Sequence, residues 1–344
     1  MRNYISSILE FFAEKIKRKE SKLDVIKKTE KDNKTSLQIK KPQKIKEKKE
    51  IEVLSPHERS LRDFTEMMEN PFLALSKKRK NPIIYESPDG TRKIKVTRHT
   101  GHFLASIYDW DIIIFVESKI QKILNESSDI PPRTIIFPVH ELLKTLHKQN
   151  GKKEENDIKK SLARLKLTGI ETTVRNKDNK YEAGFGFIDN WKYVERKNNR
   201  EVRQIQVTLS QWLYDGICSR GALLKVPPSY FGIASALKRF LYRTARKHVG
   251  NCEGNKGSFF IETLYDKSGS EGNFRLFKSQ IKKIVIKSKI PEYEMKLIEE
   301  NGKEKVIFIK SNVHELNRLA DLVEECKKKQ QNINNFNNLI KINE

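Results

Sequence analysis

The chain has 344 residues, enough for two ordinary domains, and 69 lysine and arginine residues against 45 aspartate and glutamate residues give it a net charge of +24. Its three cysteines lie far apart, which argues against a disulfide framework or a thiolate zinc site and favours a reducing compartment. No apolar run approaches the roughly 20 residues that cross a bilayer, and the N-terminus has no signal-peptide pattern, so the sequence predicts a soluble cytoplasmic protein.

The positive charge lies mostly on the part of the chain that is predicted to fold. Residues 1–60 contribute +7, and the rest of the chain contributes +17. Abundant Ile, Lys and Asn are also typical of AT-rich codon bias, which would raise the lysine content without any ligand. Local clusters of basic residues are therefore stronger evidence for a ligand than the total charge.

Both ends of the chain are predicted to be tails. Residues 1–58 form a basic and mostly disordered tail, because the segment from 20 to 58 is charged and has no sustained apolar period. Within this tail, residues 2–19 have the spacing of a short amphipathic docking helix. Residues 311–344 are predicted as a C-terminal helix followed by a loose, low-complexity tail.

The first predicted domain covers residues 59–226 and contains a helix, a strand, two helices and a hairpin. In order these are Ile107–Leu124, the strand RTIIFP, Val139–His147, Asp157–Thr168, and a hairpin made of IETTV and KYEAGFGFID. Gly169 suits the left-handed position that ends the last of these helices. Residues 70–106 and 200–216 are interpreted as strand-rich additions to this unit.

The second predicted domain covers residues 227–310 and begins after Pro227 and Pro228, which disfavour helix on both sides. Its elements are a helix at 234–249, the strand GSFFIE, the helix ETLYDK, a helix at 274–290 and a final hairpin. Asn301 and Gly302 predict a type I′ turn in that hairpin. The same order of elements recurs in both domains. The predicted fold class is therefore α+β, with two tandem winged-helix domains between a disordered basic N-terminal tail and a low-complexity C-terminal tail.

The helix at 274–290 is the strongest candidate for contact with DNA. Phe274, Phe277, Ile281 and Ile284 fall on one side of it, and no acidic residue interrupts it, so its outward positive field is expected to be unscreened by carboxylates. Any single lysine on such a helix is more often a simple solvating group, but the cluster favours a DNA contact. Its candidate contacts are Arg275, Lys278, Ser279, Lys282, Lys283 and Lys287.

Three other groups are candidate DNA contacts. The helix of the first domain has a less clustered set, which is Lys159, Lys160, Arg164 and Lys166. Hairpin tips would contact the DNA backbone or minor groove through Arg175, Lys177, Lys303 and Lys305. Arg243 and Arg246 lie one turn apart, and two readings are equally supported: they clamp a phosphate, or they pair with Glu262 or Asp266 inside the protein.

The sequence predicts no enzyme activity, no cofactor and no metal. There is no phosphate-binding glycine-rich loop of the ATPase type, and His99 and His102 have no third metal ligand nearby. Tyr230 and Tyr242 therefore have no metal partner that would make them nucleophiles.

Several stretches together resemble the plasmid replication initiator A family, over roughly residues 58–310. They are ERSLRDFTEMMENPFLALSKKRKNPI, IYDWDIIIFVESKI, SLARLKLTGIETTV, FGFIDNWKYVE, VTLSQWLYDGI and LKRFLYRTARKHVG. The resemblance implies two winged-helix domains that bind repeated sequences in double-stranded DNA at a plasmid origin and open or mark the adjacent AT-rich DNA. It also implies recruitment of host replication initiation factors or a helicase, and a homodimer that changes to a monomer.

Three alternatives stay open at this point. A winged-helix transcriptional repressor would use the same domains without supporting replication of a linked origin. A DNA-nicking replication enzyme would cleave a supercoiled origin when a divalent metal is added. The lysine-rich N-terminus could also bind an anionic membrane, although no membrane partner is predicted for the chain as a whole.

Overall fold

The computed structural model describes residues 61–126, 130–175, 183–198, 200–219, 221–249, 255–287 and 289–311. The predicted docking helix at 2–19, the basic tail and the helix after residue 311 lie outside these ranges. No helix within the ranges is both long and apolar enough to span a bilayer.

The described chain contains both helices and strands. Its helices are α1 (Thr65–Glu69), α2 (Trp110–Glu126), α3 (Val139–Thr145), α4 (Lys152–Leu167), α5 (Gln211–Cys218), α6 (Ala236–Val249), α7 (Ile261–Ser268) and α8 (Phe274–Lys287). Its strands are β1 (Arg62–Phe64), β2 (Ile83–Glu86), β3 (Lys93–Arg98), β4 (Thr134–Pro138), β5 (Thr168–Thr172), β6 (Ala183–Gly186), β7 (Ile188–Asn198), β8 (Arg200–Leu209), β9 (Leu223–Lys225), β10 (Lys256–Phe260), β11 (Tyr293–Glu300) and β12 (Lys303–Lys310).

These described strands form antiparallel sheets with the orders β1-β9, β2-β3-β5-β6, β4-β8-β7 and β10-β12-β11. In the last of these, the hairpin β11-β12 follows α8 directly, as predicted. Asn301 and Gly302 at its turn have φ angles of 52° and 73°, the left-handed values that a type I′ turn requires. Helix α8 ends at Lys287, before the predicted residue 290, because Pro291 disfavours helical geometry in the residue before it.

The predicted hairpin of the first unit forms, since β5 pairs with β6, but it does not pair with the predicted strand RTIIFP. Strand β4 pairs with β8, and β8 pairs with β7, whereas the predicted hairpin β5-β6 joins a different sheet with β2 and β3. Strand β8 alternates in burial, and its inward residues Ile205, Val207 and Leu209 share one buried face with Ile135 and Phe137 of β4. Strand β8, which belongs to the segment 200–216 interpreted as an addition, is thus the central strand of this sheet.

The pairing of β4 with β8 makes the two units more alike than the sequence predicted. In β4-β8-β7 and in β10-β12-β11, the short first strand pairs with the second strand of a later hairpin. In each sheet, that short first strand lies between two helices in the sequence: β4 between α2 and α3, and β10 between α6 and α7. Helix α4 ends at Leu167, within one residue of the predicted Thr168, although it begins at Lys152, before the predicted Asp157. Gly169 does not have the predicted left-handed conformation, since it lies in β5 opposite Thr97. Thr168 already has extended backbone angles, which begin the strand.

Buried apolar side chains from both predicted domains belong to one continuous core cluster, which extends from Leu61 to Phe308. The segment before α1 pairs through β1 with β9, so it lies beside the start of the second predicted domain. Pro228 begins a short 3-10 helix that ends at Tyr230, whose side chain is fully buried. The segment that follows the two prolines thus contributes a core residue.

Candidate nucleic-acid interface

Helix α8 packs against the core through one apolar face. Phe277, Ile281 and Val285 are buried, and Phe274 is partly buried beside them. The rings of Phe274 and Phe277 both contact Tyr265 edge to face, at centroid distances of 5.4 and 5.2 Å. Because these residues recur every three or four positions, the opposite side of the helix is directed toward solvent.

The solvent side of α8 carries exposed cations. Arg275, Lys283 and Lys287 are exposed, and no ion pair joins any of them to a carboxylate within the described part of the chain. Ser279 lies among them and is partly exposed. We use the name outer face of α8 for the solvent-directed side of the helix that carries Arg275, Ser279, Lys283 and Lys287.

The expectation that carboxylates leave this helix unscreened is wrong. Glu304 of β12 lies between two of the predicted contacts, with carboxylate oxygens 2.8 Å from the Lys278 ammonium and 2.5 Å from the Lys282 ammonium. Hydrogen bonds from these two lysines hold the pKa of Glu304 below its ordinary value. The acidic residue comes from the hairpin and not from the helix, so the helix sequence alone gave no sign of it.

The hairpin beside α8 presents one exposed lysine at its tip. Lys303 follows the turn directly and is exposed, as the sequence predicted. Lys305 is only partly exposed, because its ammonium pairs with Glu300 and lies 4.9 Å from the ring centroid of Phe260. Lys303 is therefore the more accessible of these two candidates.

Helix α4 divides its four candidates between solvent and the fold. Lys160 and Lys166 are exposed, although the ammonium of Lys166 also donates to the carbonyl oxygen of Asp189. The Lys159 ammonium lies 3.9 Å from the ring centroid of Tyr193, a cation–π contact. Arg164 donates to both carboxylate oxygens of Asp109, at 2.8 and 2.6 Å. The helix therefore presents fewer accessible cations than α8.

Arg175 also makes contacts within the protein. Its guanidinium pairs with Glu66 at 2.7 Å and lies 3.6 Å from the ring centroid of Trp212. Its φ angle of 73° is in the left-handed region, so the backbone turns sharply at this point. The predicted contact at Lys177 lies outside the described residues.

Arg243 and Arg246 hold α6 against the two-stranded sheet of β1 and β9. Arg243 is 3% exposed and pairs with Asp63 of β1 at 2.8 Å, while Arg246 donates to the carbonyl oxygen of Lys225 in β9 at 2.7 Å. Of the two readings that the sequence allowed, the internal one describes these contacts, but the partners are neither Glu262 nor Asp266. In this conformation the guanidinium of Arg243 does not reach the surface.

A second buried ion pair escaped sequence interpretation. Arg239 donates to Asp111 at 2.6 Å, and both side chains are at most 5% exposed. Burial raises the pKa of Asp111 to about 6, although the Arg239 charge opposes that change. The partners lie 128 positions apart, and each belongs to an amphipathic helix on which charge is normally solvated.

A buried carboxyl group lies near the Asp63–Arg243 pair. The side chain of Glu117 is fully buried, and neither of its oxygens has a hydrogen-bond partner among the described residues. Burial, with the charge of Asp63 second, raises the pKa of Glu117 well above its ordinary value. The protonated form is therefore favoured in the folded chain.

The contribution of His248 on α6 to the stability of the chain is expected to fall with decreasing pH. Burial is the main cause that lowers its pKa to about 4, so between pH 6.5 and 4 the unfolded chain binds a proton that the folded chain does not. This difference removes up to about 3 kcal/mol of stability as the pH falls through that window. Urea unfolding at pH 7 and pH 4.5 should show a smaller loss for His248→Gln than for wild type; equal losses would contradict this assignment.

His99 and His102 lie close together, with ring centroids 6.2 Å apart. Within the described ranges, no group of three or more His, Cys, Asp or Glu side chains is placed to hold a metal ion. The outer face of α8 and the adjacent hairpin tip thus remain the candidate site with the clearest chemical character, an exposed set of cations.

The sequence of this chain matches a known protein family, and its fold resembles that of a solved structure of another protein. The family model described as "Replication initiator protein A" matches residues 62–295. A relative named "Putative replication protein" from Wigglesworthia glossinidia brevipalpis is 32% identical over 239 residues, covering 69% of this chain and 85% of that protein.

The crystal structure of domains 2 and 3 of RctB has a similar fold. It superposes with a TM-score of 0.51 at 14% identity, covering 72% of this chain and 98% of that one. At this identity the likeness concerns the fold alone. The family match covers well over half of the sequence, and the chain belongs to the replication initiator protein A family.

Proposed function

We propose that the chain is a cytoplasmic plasmid replication initiator that binds repeated sequences in double-stranded DNA at an origin and recruits host replication factors. The observation that carries the DNA-binding part is the outer face of α8, where exposed Arg275, Lys283 and Lys287 have no carboxylate partner among the described residues. Membership of the replication initiator family supports the role in replication. The chain acts by binding, without a catalytic step of its own.

We further propose that both units are winged helices, with α8 and α4 in the position of recognition helices. The repeated sheet order supports this, because in each unit a strand between two helices pairs with the second strand of a hairpin that follows. In such a reader the helix enters the major groove, and the hairpin contacts the DNA backbone. Since α4 uses Arg164 and Lys159 within the fold, α8 makes the larger DNA contact.

The proposal divides the cations of α8 by role. Arginine can donate two parallel hydrogen bonds to guanine, so Arg275, in the first turn of the helix, is the candidate base reader. Lys283 and Lys287 would hold phosphates, a contact that does not depend on sequence. Substitution of Arg275 should therefore relax specificity at particular positions, whereas substitution of either lysine should weaken binding to all sequences.

The direct test uses a circular DNA that carries the gene, its flanking repeats and a selectable marker. We expect the full chain to protect those repeats in a footprint and to maintain the DNA in a host. Protection of the repeats without maintenance would favour a repressor and contradict the initiator role. Cleavage of the supercoiled origin after addition of Mg²⁺ would contradict a purely binding role.

Replacement of Glu304 by glutamine is expected to strengthen binding to duplex DNA several-fold. The change removes a carboxylate and makes Lys278 and Lys282 available to phosphates. Two additional phosphate contacts would increase the salt dependence of binding, with a log–log slope steeper by up to about 1.8. Titration of labelled duplex at several salt concentrations measures both quantities.

The matched control is Glu171→Gln, which removes the same charge from an exposed pair with Lys95 on β3. It should leave both the affinity and the slope close to the wild-type values. If Glu304→Gln and Glu171→Gln bind alike, Glu304 does not screen a DNA-binding surface.

A further inference from the structure

The outer face of α8 is not purely cationic. Leu276 and Ile286 are 57% and 75% exposed, and both lie on the same side of the helix as Arg275 and Lys283. Single exposed apolar residues are common on protein surfaces and need no explanation. Here two large apolar side chains lie on one short cationic helix, so their position relative to the cations indicates what kind of ligand the helix binds.

The helical geometry aligns these residues in one strip. At about 100° per residue, Arg275, Ser279, Lys282 and Ile286 follow one line along the helix, and Leu276 and Lys283 follow a neighbouring line. Residues 275 and 286 are separated by about 16 Å along the axis, at a rise of about 1.5 Å per residue. That length corresponds to about five base pairs at 3.4 Å each. One strip thus presents both hydrogen-bond donors and apolar groups over half a turn of duplex.

The combination of cations and apolar side chains on the outer face of α8 restricts the kinds of ligand that this face can bind. A purely apolar partner would leave Arg275, Lys283 and Lys287 without counter-charges, which disfavours burial of this face against it. The major groove of DNA offers phosphates at its edges and one kind of apolar group on its floor, the 5-methyl group of thymine. The strip therefore matches a thymine-containing groove better than it matches a hydrophobic protein surface.

We propose that Ile286 and Leu276 are specificity-determining residues that contact thymine methyl groups in the bound sequence. The proposal rests on the DNA-binding role of α8 proposed above and adds the base that its apolar residues read. Ile286 has the greater exposure and a position in line with Arg275, so it carries the larger share of the contact.

The test removes the methyl group without changing any hydrogen bond. Duplexes that the full chain selects from a random-sequence library are synthesised with thymine or with deoxyuridine at each thymine position. We expect one or more replacements to weaken wild-type binding about fourfold, the effect of one buried methyl group. Ile286→Ala should bind the thymine duplex about fourfold more weakly and lose most of its sensitivity to uracil at one of those positions.

The matched control is Ile84→Ala on β2, since Ile84 is 79% exposed and lies outside α8. This variant should keep both the affinity and the uracil sensitivity of wild type. Thermal unfolding of both variants checks that their folds are intact, as expected for exposed positions.

Two results would overturn the thymine contact while leaving DNA binding in place. One is wild-type binding that is insensitive to uracil at every position, and the other is an Ile286→Ala/Leu276→Ala chain that keeps the full wild-type sensitivity. A full chain that selects no duplex at all would instead contradict the proposed function on which the contact depends.

Discussion

Replacement of Arg243 by methionine is expected to lower the free energy of unfolding by about 3–5 kcal/mol, the cost of removing one partner of a buried ion pair. Asp63, which is fully buried, would lose its counter-charge and keep only neutral donors, among them the indole of Trp110 at 2.8 Å. Burial already raises the pKa of Asp63, and Arg243 is the main group that opposes this rise. Urea denaturation followed by circular dichroism measures the loss.

A double substitution separates the ion pair from general packing. Asp63→Asn with Arg243→Met removes both charges and keeps an oxygen for Trp110, so it should be less destabilising than the sum of the single changes. Arg246→Met, one turn away, breaks no buried ion pair and removes hydrogen bonds to the Lys225 carbonyl and to Tyr293, so it should cost about 1 kcal/mol for each bond. A loss below about 1 kcal/mol for Arg243→Met would contradict a structural role for the pair.

The second large effect concerns DNA. Simultaneous replacement of Arg275, Lys283 and Lys287 by alanine is expected to weaken duplex binding by about 100-fold or more near physiological salt. The estimate combines about 1–3 kcal/mol for a base-reading arginine with the loss of two phosphate contacts, which also lowers the salt slope by about 2. These exposed side chains make no ion pair within the described ranges, so the fold should be unaffected.

Its control is the alanine replacement of Lys93, Lys95 and Lys122, three exposed lysines on β3 and α2 that remove the same total charge. A comparison of the two triple variants shows whether the position of the lost charge, and not only its amount, affects DNA binding. We also expect Lys282/Lys283/Lys287→Ala to weaken binding less than the first triple variant, since Lys282 is already paired with Glu304. Equal binding by wild type and the Arg275/Lys283/Lys287 variant would remove α8 from the interface.

Local patterns predicted the second unit accurately. The spacing of Phe277 and Ile281 fixed the inner face of α8, and Asn301-Gly302 fixed the hairpin turn, because both signals lie within a few residues of the structure they determine. The exposed cations of the outer face follow from the same periodicity. The family resemblance was confirmed by the match over residues 62–295.

Contacts between distant segments were not predictable in the same way. The strand RTIIFP pairs with β8, about 70 residues later, and the nearer hairpin offered an equally good local pattern. The partners of Arg243 and Glu304 are likewise fixed by tertiary packing, since Asp63 is 180 positions from Arg243. A charge on an amphipathic helix has the same sequence signature whether it meets solvent, DNA or a buried carboxylate.

Lysine acetylation with and without DNA can show whether the outer face of α8 binds duplex DNA. The full chain is modified briefly in the presence of a saturating selected duplex, and the rate at each lysine is read by mass spectrometry. We expect DNA to protect Lys283 and Lys287 strongly and to leave Lys93 and Lys95 unchanged. Equal modification of Lys283 and Lys287 with and without bound duplex would show that α8 does not contact DNA.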